Sequence, residues 1–303
     1  MPNHDDWAAE VAARGDAAMI PVGKGIHHGV SMDSYLDNCC PGPSVSGSTL
    51  FTLHESCPAK ALAGHYLSPW PRDEGDTAAT AFGTALHTLI LEPDAFQERY
   101  AVKPEDMTFA SRDGKAWRAE NEGRGIIRQA DFDLMCAMRD AAERHPAARN
   151  AFEGGAAEVT AVTQDAETGL WLKVRPDYLR PGLAINLKST ADAAEQPWTR
   201  DAVKYGYHVS AALAVDVLRD LGEKAHYAFV VIEKEPPHLV SVRVLDDAFM
   251  LAGRMIYRRA LQAFAECLAK FEPKDWPGYG DDVTTVNIPP WLDRQLNGFS
   301  APL

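Results

Sequence analysis

The chain has no run of the ~20 apolar residues that a membrane helix requires. Its longest weakly polar stretch, Ala78 to Leu91, holds His87 and several threonines. The opening Met1-Pro2-Asn3-His4-Asp5-Asp6 lacks the basic and apolar regions of a secretion signal, so a cytoplasmic location without membrane partners is expected. Only 5 of the 303 residues are cysteine. An odd count argues against a disulfide framework, and no CxxC pair supports a structural zinc site at Cys39, Cys40, Cys57, His54 or His65. There is no P-loop and no GxGxxG, which leaves a nucleotide-cofactor fold without support. There is no GxSxG nucleophile motif. Positive charge is also scarce: 30 Lys and Arg against 43 Asp and Glu give a net charge of -13. That balance argues against a bulk electrostatic DNA binder. It leaves open an enzyme that holds nucleic acid through a local basic groove and metal ions.

What is present is ordinary globular composition, 46% hydrophobic and 24% charged, in a length that fits one large domain or two small ones. Residues 1–44 read as an irregular arm and 273–303 as a tail rich in Pro, Gly and Trp, on either side of a domain over 45–272. Ser46 or Ser48 can cap a helix through Leu50, Leu53 and His54. An alanine-rich helix is expected over about 78–91, stopped near Glu92-Pro93. Residues 103–125 are polar, and helical spacing returns over about 125–142 and 146–152. Val159, Val162, Leu170, Leu172 and Val174 mark two strands joined by a turn at Asp165 to Gly169. A third strand over 183–189, two helices over 195–221, strands over 228–232 and 239–244, and a long helix capped by Asp246 or Asp247 follow. The order predicts an α/β (α+β type) fold, a mixed central sheet flanked by helices, and not a βαβ repeat.

The segment Val174-Arg175-Pro176-Asp177-Tyr178-Leu179, followed by Ala184-Ile185-Asn186-Leu187-Lys188-Ser189-Thr190, is the most informative. Alternation on a strand puts Asn186 and Lys188 on one face and Ile185 and Leu187 on the other. Asp177 lies a short turn away. A carboxylate, an amide oxygen and a lysine can thus converge on a sheet. Phosphodiester hydrolysis uses such a cluster, with hard oxygen ligands for Mg²⁺ and a lysine to orient water. The competing reading is a surface hairpin with scattered polar residues. Glu158, before the hairpin, can face the same point. His87 can do so from its helix, or be a hydrogen-bonded core histidine. Arg112, Lys115, Arg118, Arg124 and Arg128, interleaved with acids, form either a DNA-facing stretch or a solvated helix face. Lys173 and Arg175 share a face, where they can touch a DNA backbone. Ser189 and Thr190 can contact a phosphate or simply end the strand. Trp117 and Phe109 can stack on a base or pack in the core.

In order along the chain, several pieces resemble the RecE-type (exonuclease VIII) nucleases of the PD-(D/E)xK superfamily. Ser46-Gly47-Ser48-Thr49-Leu50 with Ser56-Cys57-Pro58-Ala59 resembles the family's opening helix, and Phe82-Gly83-Thr84-Ala85-Leu86-His87 its G-T-A-x-H helix. Gly114-Lys115-Ala116-Trp117 resembles a basic helix start. Arg175-Pro176-Asp177 resembles R-P-D, Ile185 to Thr190 the I-D-x-K-[ST]-T strand, and Tyr205-Gly206-Tyr207-His208-Val209 the helix after the core. The resemblance spans about Ser46 to Asp247. It implies Mg²⁺- or Mn²⁺-dependent degradation of linear duplex DNA from 5′ ends, leaving 3′ single-stranded tails for recombination, as in phage or prophage systems. It also implies a single-strand annealing partner and a ring-forming homo-oligomer (trimer or tetramer). By position, His87, Glu158, Asp177 and residue 186 belong to the metal site, Lys188 is the catalytic lysine, and Tyr205, Tyr207 and His208 lie toward DNA. An iron–sulfur cluster, carried by some superfamily members on clustered C-terminal cysteines, is not expected, because only Cys267 lies in that half.

Three positions depart from the pattern. Asn186 stands where an aspartate is expected, and it brings no negative charge to a metal. Either it is an inactivating Asp→Asn exchange or the chain is a natural member with reduced activity. The intact remainder of the constellation favours the first. Ser210 and Ala214 stand where relatives often carry Gln and Tyr, with Tyr205, Tyr207 or His208 available to take over part of that role. Two rivals to a working nuclease follow: a non-catalytic module that binds DNA ends, and a docking module for an annealing protein.

Overall fold

A computed structural model describes residues 21–72 and 77–298. Among these residues the strands are β1 (Gly25–His27), β2 (Ser44–Val45), β3 (Tyr100–Lys103), β4 (Gly125–Arg128), β5 (Ala156–Ala157), β6 (Thr160–Gln164), β7 (Trp171–Val174), β8 (Tyr178–Arg180), β9 (Leu183–Thr190), β10 (His226–Glu233) and β11 (Val240–Val244). The central sheet runs β11-β10-β9-β8-β5, a second sheet runs β1-β6-β7-β2, and β3 pairs with β4 alone. β9 and β10 are parallel and the other pairs of the central sheet antiparallel. A parallel pair needs a long crossover, and the helices Glu195–Lys204 and Tyr207–Asp220 supply it.

Alternation in β9 and β10 divides the interior into two cores. Ile185, Leu187, Val230 and Ile232 pack with Leu86 of the Ala78–Leu91 helix and with Met135 and Met138 of the Gln129–Arg144 helix. Ala184, Tyr227, Phe229 and Val231 pack with Leu213 of the crossover and Phe264 of the Asp247–Lys270 helix. Full burial of a residue such as Leu86 contributes about 2 kcal/mol. The expected alternation holds: Ile185 and Leu187 are fully buried, while Asn186 and Lys188 keep contact with solvent.

Local chemistry fixes the helix ends. Thr77 caps the Ala78–Leu91 helix by accepting from the Thr80 amide, and Pro93 follows its end at Glu92. Asp246 caps the last long helix by accepting from the Phe249 amide. After the Gly47–Glu55 helix ends, Pro58 starts the next one at its first turn.

Two expectations are corrected. The arm over 1–44 is not irregular throughout. β1 pairs with β6, β2 pairs with β7, and Met32–Leu36 is a helix capped by Ser31, while residues 1–20 of it lie outside the described residues. Helical spacing from 125 begins as strand β4, because Ile126 and Ile127 pair with Ala101 and Val102. The polar stretch over 103–125 contains a helix, Arg112–Glu120, capped by Ser111, and it includes the Gly114 to Trp117 piece that resembles a helix start. Within the tail over 273–303, Trp276 is buried, edge-on to Phe264 at 4.9 Å between ring centres. No described helix is long and apolar enough to cross a membrane.

Candidate metal and nucleic-acid site

Glu158 lies between β5 and β6 with φ of 54°, a left-handed backbone that is uncommon for a residue with a Cβ and costs about 1–3 kcal/mol. Its amide donates to the Asp177 carbonyl at 3.0 Å, which joins the backbones of the two acidic residues. Asp177 precedes β8, and its Oδ2 accepts from the Leu187 amide of β9 at 2.7 Å. His87, on the Ala78–Leu91 helix, brings Nδ1 to 3.6 Å from the same oxygen. One ligand atom each from His87, Glu158 and Asp177 thus lies within 4.8 Å of the others.

The carboxylates are held differently. Glu158 Oε2 accepts from Arg175 Nε at 2.7 Å. The same guanidinium donates to the Val30 carbonyl at 2.6 Å and to Thr160 Oγ1 at 3.0 Å. Burial pushes the Glu158 carboxyl above its usual range and the charge of Asp177 adds to this, while the Arg175 bond opposes it.

Asn186 of β9 joins Asp177 to Tyr227 of β10. With one amide orientation its Oδ1 lies 2.6 Å from Tyr227 Oη and 3.3 Å from the Asp177 amide. Turned over, Nδ2 donates to Tyr227 Oη at 2.6 Å and to the Ile185 carbonyl at 3.2 Å, and Oδ1 accepts from Lys188 Nζ at 3.2 Å. The second orientation satisfies the Tyr227, Ile185 and Lys188 contacts together, and places Nδ2 3.3 Å from the Asp177 amide nitrogen. Burial raises the Tyr227 hydroxyl well above its ordinary pKa, so it stays protonated. Lys188 Nζ also sits 5.5 Å from the centre of the Tyr207 ring.

The donor set suits a divalent ion that prefers oxygen. Two carboxylates, an amide oxygen and one imidazole match Mg²⁺ or Mn²⁺ better than a thiophilic metal. Their spacing is near the ~4 Å between opposite ligands of a small octahedral ion.

The residues expected to meet DNA separate into two groups. Arg112, Lys115 and Arg118 lie on the Arg112–Glu120 helix, and Lys115 is exposed. Lys115 and Arg118 line an open groove of about 610 Å³ with Phe109, and Arg118 lies 5.5 Å from the Phe109 ring centre. Phe109 stacks on Trp117 at 6.3 Å. Ser189, Thr190, Tyr205 and Tyr207 line a second cavity beside Lys188. Arg124, Arg175 and His208 are corrections. Arg124 is spent on the Asn121 side chain and on the carbonyls of Gln97 and Tyr100. Arg175 is only 9% exposed, with Nε and Nη1 turned inward onto Glu158, Val30 and Thr160. His208 is buried against the Ala202 carbonyl. Lys173 is likewise turned inward, donating to the carbonyls of Tyr35 and Asp37.

The sequence reading missed Tyr227, Trp198, Asp201 and Lys234. Only the parallel register of β9 and β10, which sets Glu233 opposite Thr190, brings Lys234 to the site. No local motif announces that pairing.

A family model described as "PDDEXK-like domain of unknown function" matches residues 44–285. Among solved structures, a chain from Eubacterium rectale described as a "Putative exonuclease" is 13% identical, with a TM-score of 0.56 over 86% of this chain and 94% of that one. At that identity the likeness is one of fold. Among curated proteins, none matches the chain.

Proposed function

Because the chain belongs to the PDDEXK-like domain family of unknown function, a branch of the PD-(D/E)xK nuclease superfamily, we propose that it is a metal-dependent 5′→3′ exonuclease of the RecE type, acting on linear duplex DNA and weakened by Asn186. The convergence of His87, Glu158 and Asp177 beside Asn186 and Lys188 carries this reading. Those three residues, with residue 186, would hold Mg²⁺ or Mn²⁺. Bound there, the ion supplies positive charge opposite the scissile phosphate and lowers the pKa of the attacking water. Lys188 orients that water for attack in line with the leaving 3′ oxygen, and the P–O3′ bond breaks to release a 5′-mononucleotide. Arg175 keeps the Glu158 carboxylate aimed while partly neutralising it. Asn186 lowers the ligand charge further, which weakens ion binding.

A second reading, a DNA-end binding module without catalysis, is favoured by Asn186 alone. A ring assembly and an annealing-protein partner rest on the family resemblance. The test compares this chain with Asn186→Asp on linear duplex DNA bearing a 5′ phosphate, with Mg²⁺ and then Mn²⁺. The nuclease reading expects the Asn186→Asp variant to degrade the DNA from its 5′ ends while the present chain only binds it. Cleavage by neither, in both ions, leaves the binding module.

A further inference from the structure

Beside the metal-site residues lies a cavity of about 420 Å³ that shares Lys188 with the proposed hydrolytic site and extends beyond it. Its walls come from three elements. The end of β9 gives Lys188, Ser189 and Thr190, the crossover gives Trp198, Asp201, Tyr205 and Tyr207, and the end of β10 gives Lys234. The walls are braced. The Lys234 amide donates to the Thr190 carbonyl at 2.9 Å, and Glu233 accepts from the Ala193 amide at 2.8 Å.

The lining is sorted by chemistry. Two ammonium groups, Lys188 and Lys234, have no ion-pair partner among the described residues. The Ser189 and Thr190 hydroxyls adjoin them. Tyr205 and Tyr207 stack with ring centres 5.9 Å apart and 28° between planes, and Tyr205 is half exposed. Trp198 is 5% exposed, yet its indole Nε1 has no partner, an unusual state for a buried donor. Cations and hydroxyls suit a phosphate, an aromatic face suits a base, and a carboxylate such as Asp201 accepts from an exocyclic amine or a sugar hydroxyl. The volume lies within the ~300–1,000 Å³ of small-ligand sites.

We propose that this cavity binds a single deoxynucleoside monophosphate unit, the phosphate between Lys188 and Lys234 and the base against the tyrosine pair. Its place next to the cleavage chemistry rests on the nuclease reading. On that reading it holds the one nucleotide being released.

Calorimetric titration of the full chain in EDTA tests the proposal without metal or cleavage. The probes are deoxyadenosine 5′-monophosphate, deoxyadenosine and inorganic phosphate. The monophosphate is expected to bind at least about tenfold more tightly than either half. Lys234→Ala should weaken monophosphate binding by about tenfold or more and leave deoxyadenosine unchanged. Trp198→Phe, which removes the N–H and keeps an aromatic ring, should weaken the monophosphate severalfold. Both variants should melt within a few degrees of the parent. The proposal fails if no monophosphate binding is seen at millimolar concentration, if inorganic phosphate binds equally well, or if both variants bind as the parent does. The two readings fail separately. DNA cleavage by Asn186→Asp with no monophosphate binding removes the pocket alone, and monophosphate binding without cleavage removes the nuclease alone.

Discussion

A buried tyrosine hydroxyl determines how residue 186 responds to charge. Tyr227 Oη and Lys188 Nζ both lie within hydrogen-bond reach of the Asn186 amide, and both can donate to a carboxylate. Asn186→Asp is therefore expected to change unfolding stability by less than about 1 kcal/mol, where a buried charge with no donors would cost several. It should also raise Mn²⁺ affinity at least tenfold, read by electron paramagnetic resonance titration. Adding Tyr227→Phe to that variant should reverse part of the gain. A different residue reports on pH. His65 is buried, its Nε2 2.8 Å from the Ser44 carbonyl and its Nδ1 accepting from the Leu67 amide, an arrangement that fits the neutral ring. Burial lowers its pKa to about 4. The unfolded chain, with a histidine pKa near ~6.5, takes up a proton that the native ring refuses. Stability is thus full above that value, falls as pH drops toward about 4, and levels off below it. The loss at pH 5 is on the order of 2 kcal/mol. Urea midpoints at pH 7 and 5 should show it, and His65→Gln should flatten the difference. At this scale the sequence reading placed Asn186 and Lys188 on one face of β9, because strand alternation is local, and it named His87, Glu158 and Asp177, which the structure brings together. The left-handed turn at Glu158 and the inward use of Arg175 depend on contacts with Val30 and Thr160, distant in sequence, and no pattern records them.

Among the elements, the crossover between β9 and β10 is the most constrained. Gly206, with φ of 67°, separates its two helices, and a Cβ there would meet the Phe51 ring at 2.4 Å. Gly206→Ala must relieve both the left-handed backbone and the clash. A loss of about 2 kcal/mol or more is expected in chemical denaturation. Because Tyr205 and Tyr207 flank this glycine, the same change should disturb their stacking, visible in near-ultraviolet circular dichroism. Helix and strand positions were legible where a cap such as Asp246 or the turn at Asp165 to Gly169 is a short-range signal. The pairing was not. β3 and β4 are four residues each and form only by meeting across the Arg112–Glu120 helix, and a segment that short carries no usable period.

Over the whole molecule the net charge of -13 sets the background against which any DNA contact operates. Binding must come from local cations, and Lys115 and Arg118 line the groove with Arg124, whose guanidinium is held by the Asn121 side chain and two backbone carbonyls. Replacing Lys115 and Arg118 with Gln should lower the slope of log affinity against log salt by about 2 on duplex DNA, with little dependence on sequence. Replacing Arg124 should instead lower stability, because its partners are backbone carbonyls. The clasp of Arg175 on the Val30 carbonyl has a consequence for where this domain begins. Similarity starts at residue 44, but Val30, Tyr35 and Asp37 supply the carbonyls that satisfy Arg175 and Lys173. A protein trimmed to the matched span would strand two cations in the interior and release the brace on Glu158. The span that the family model matches is thus shorter than the span needed to hold the carboxylates in place.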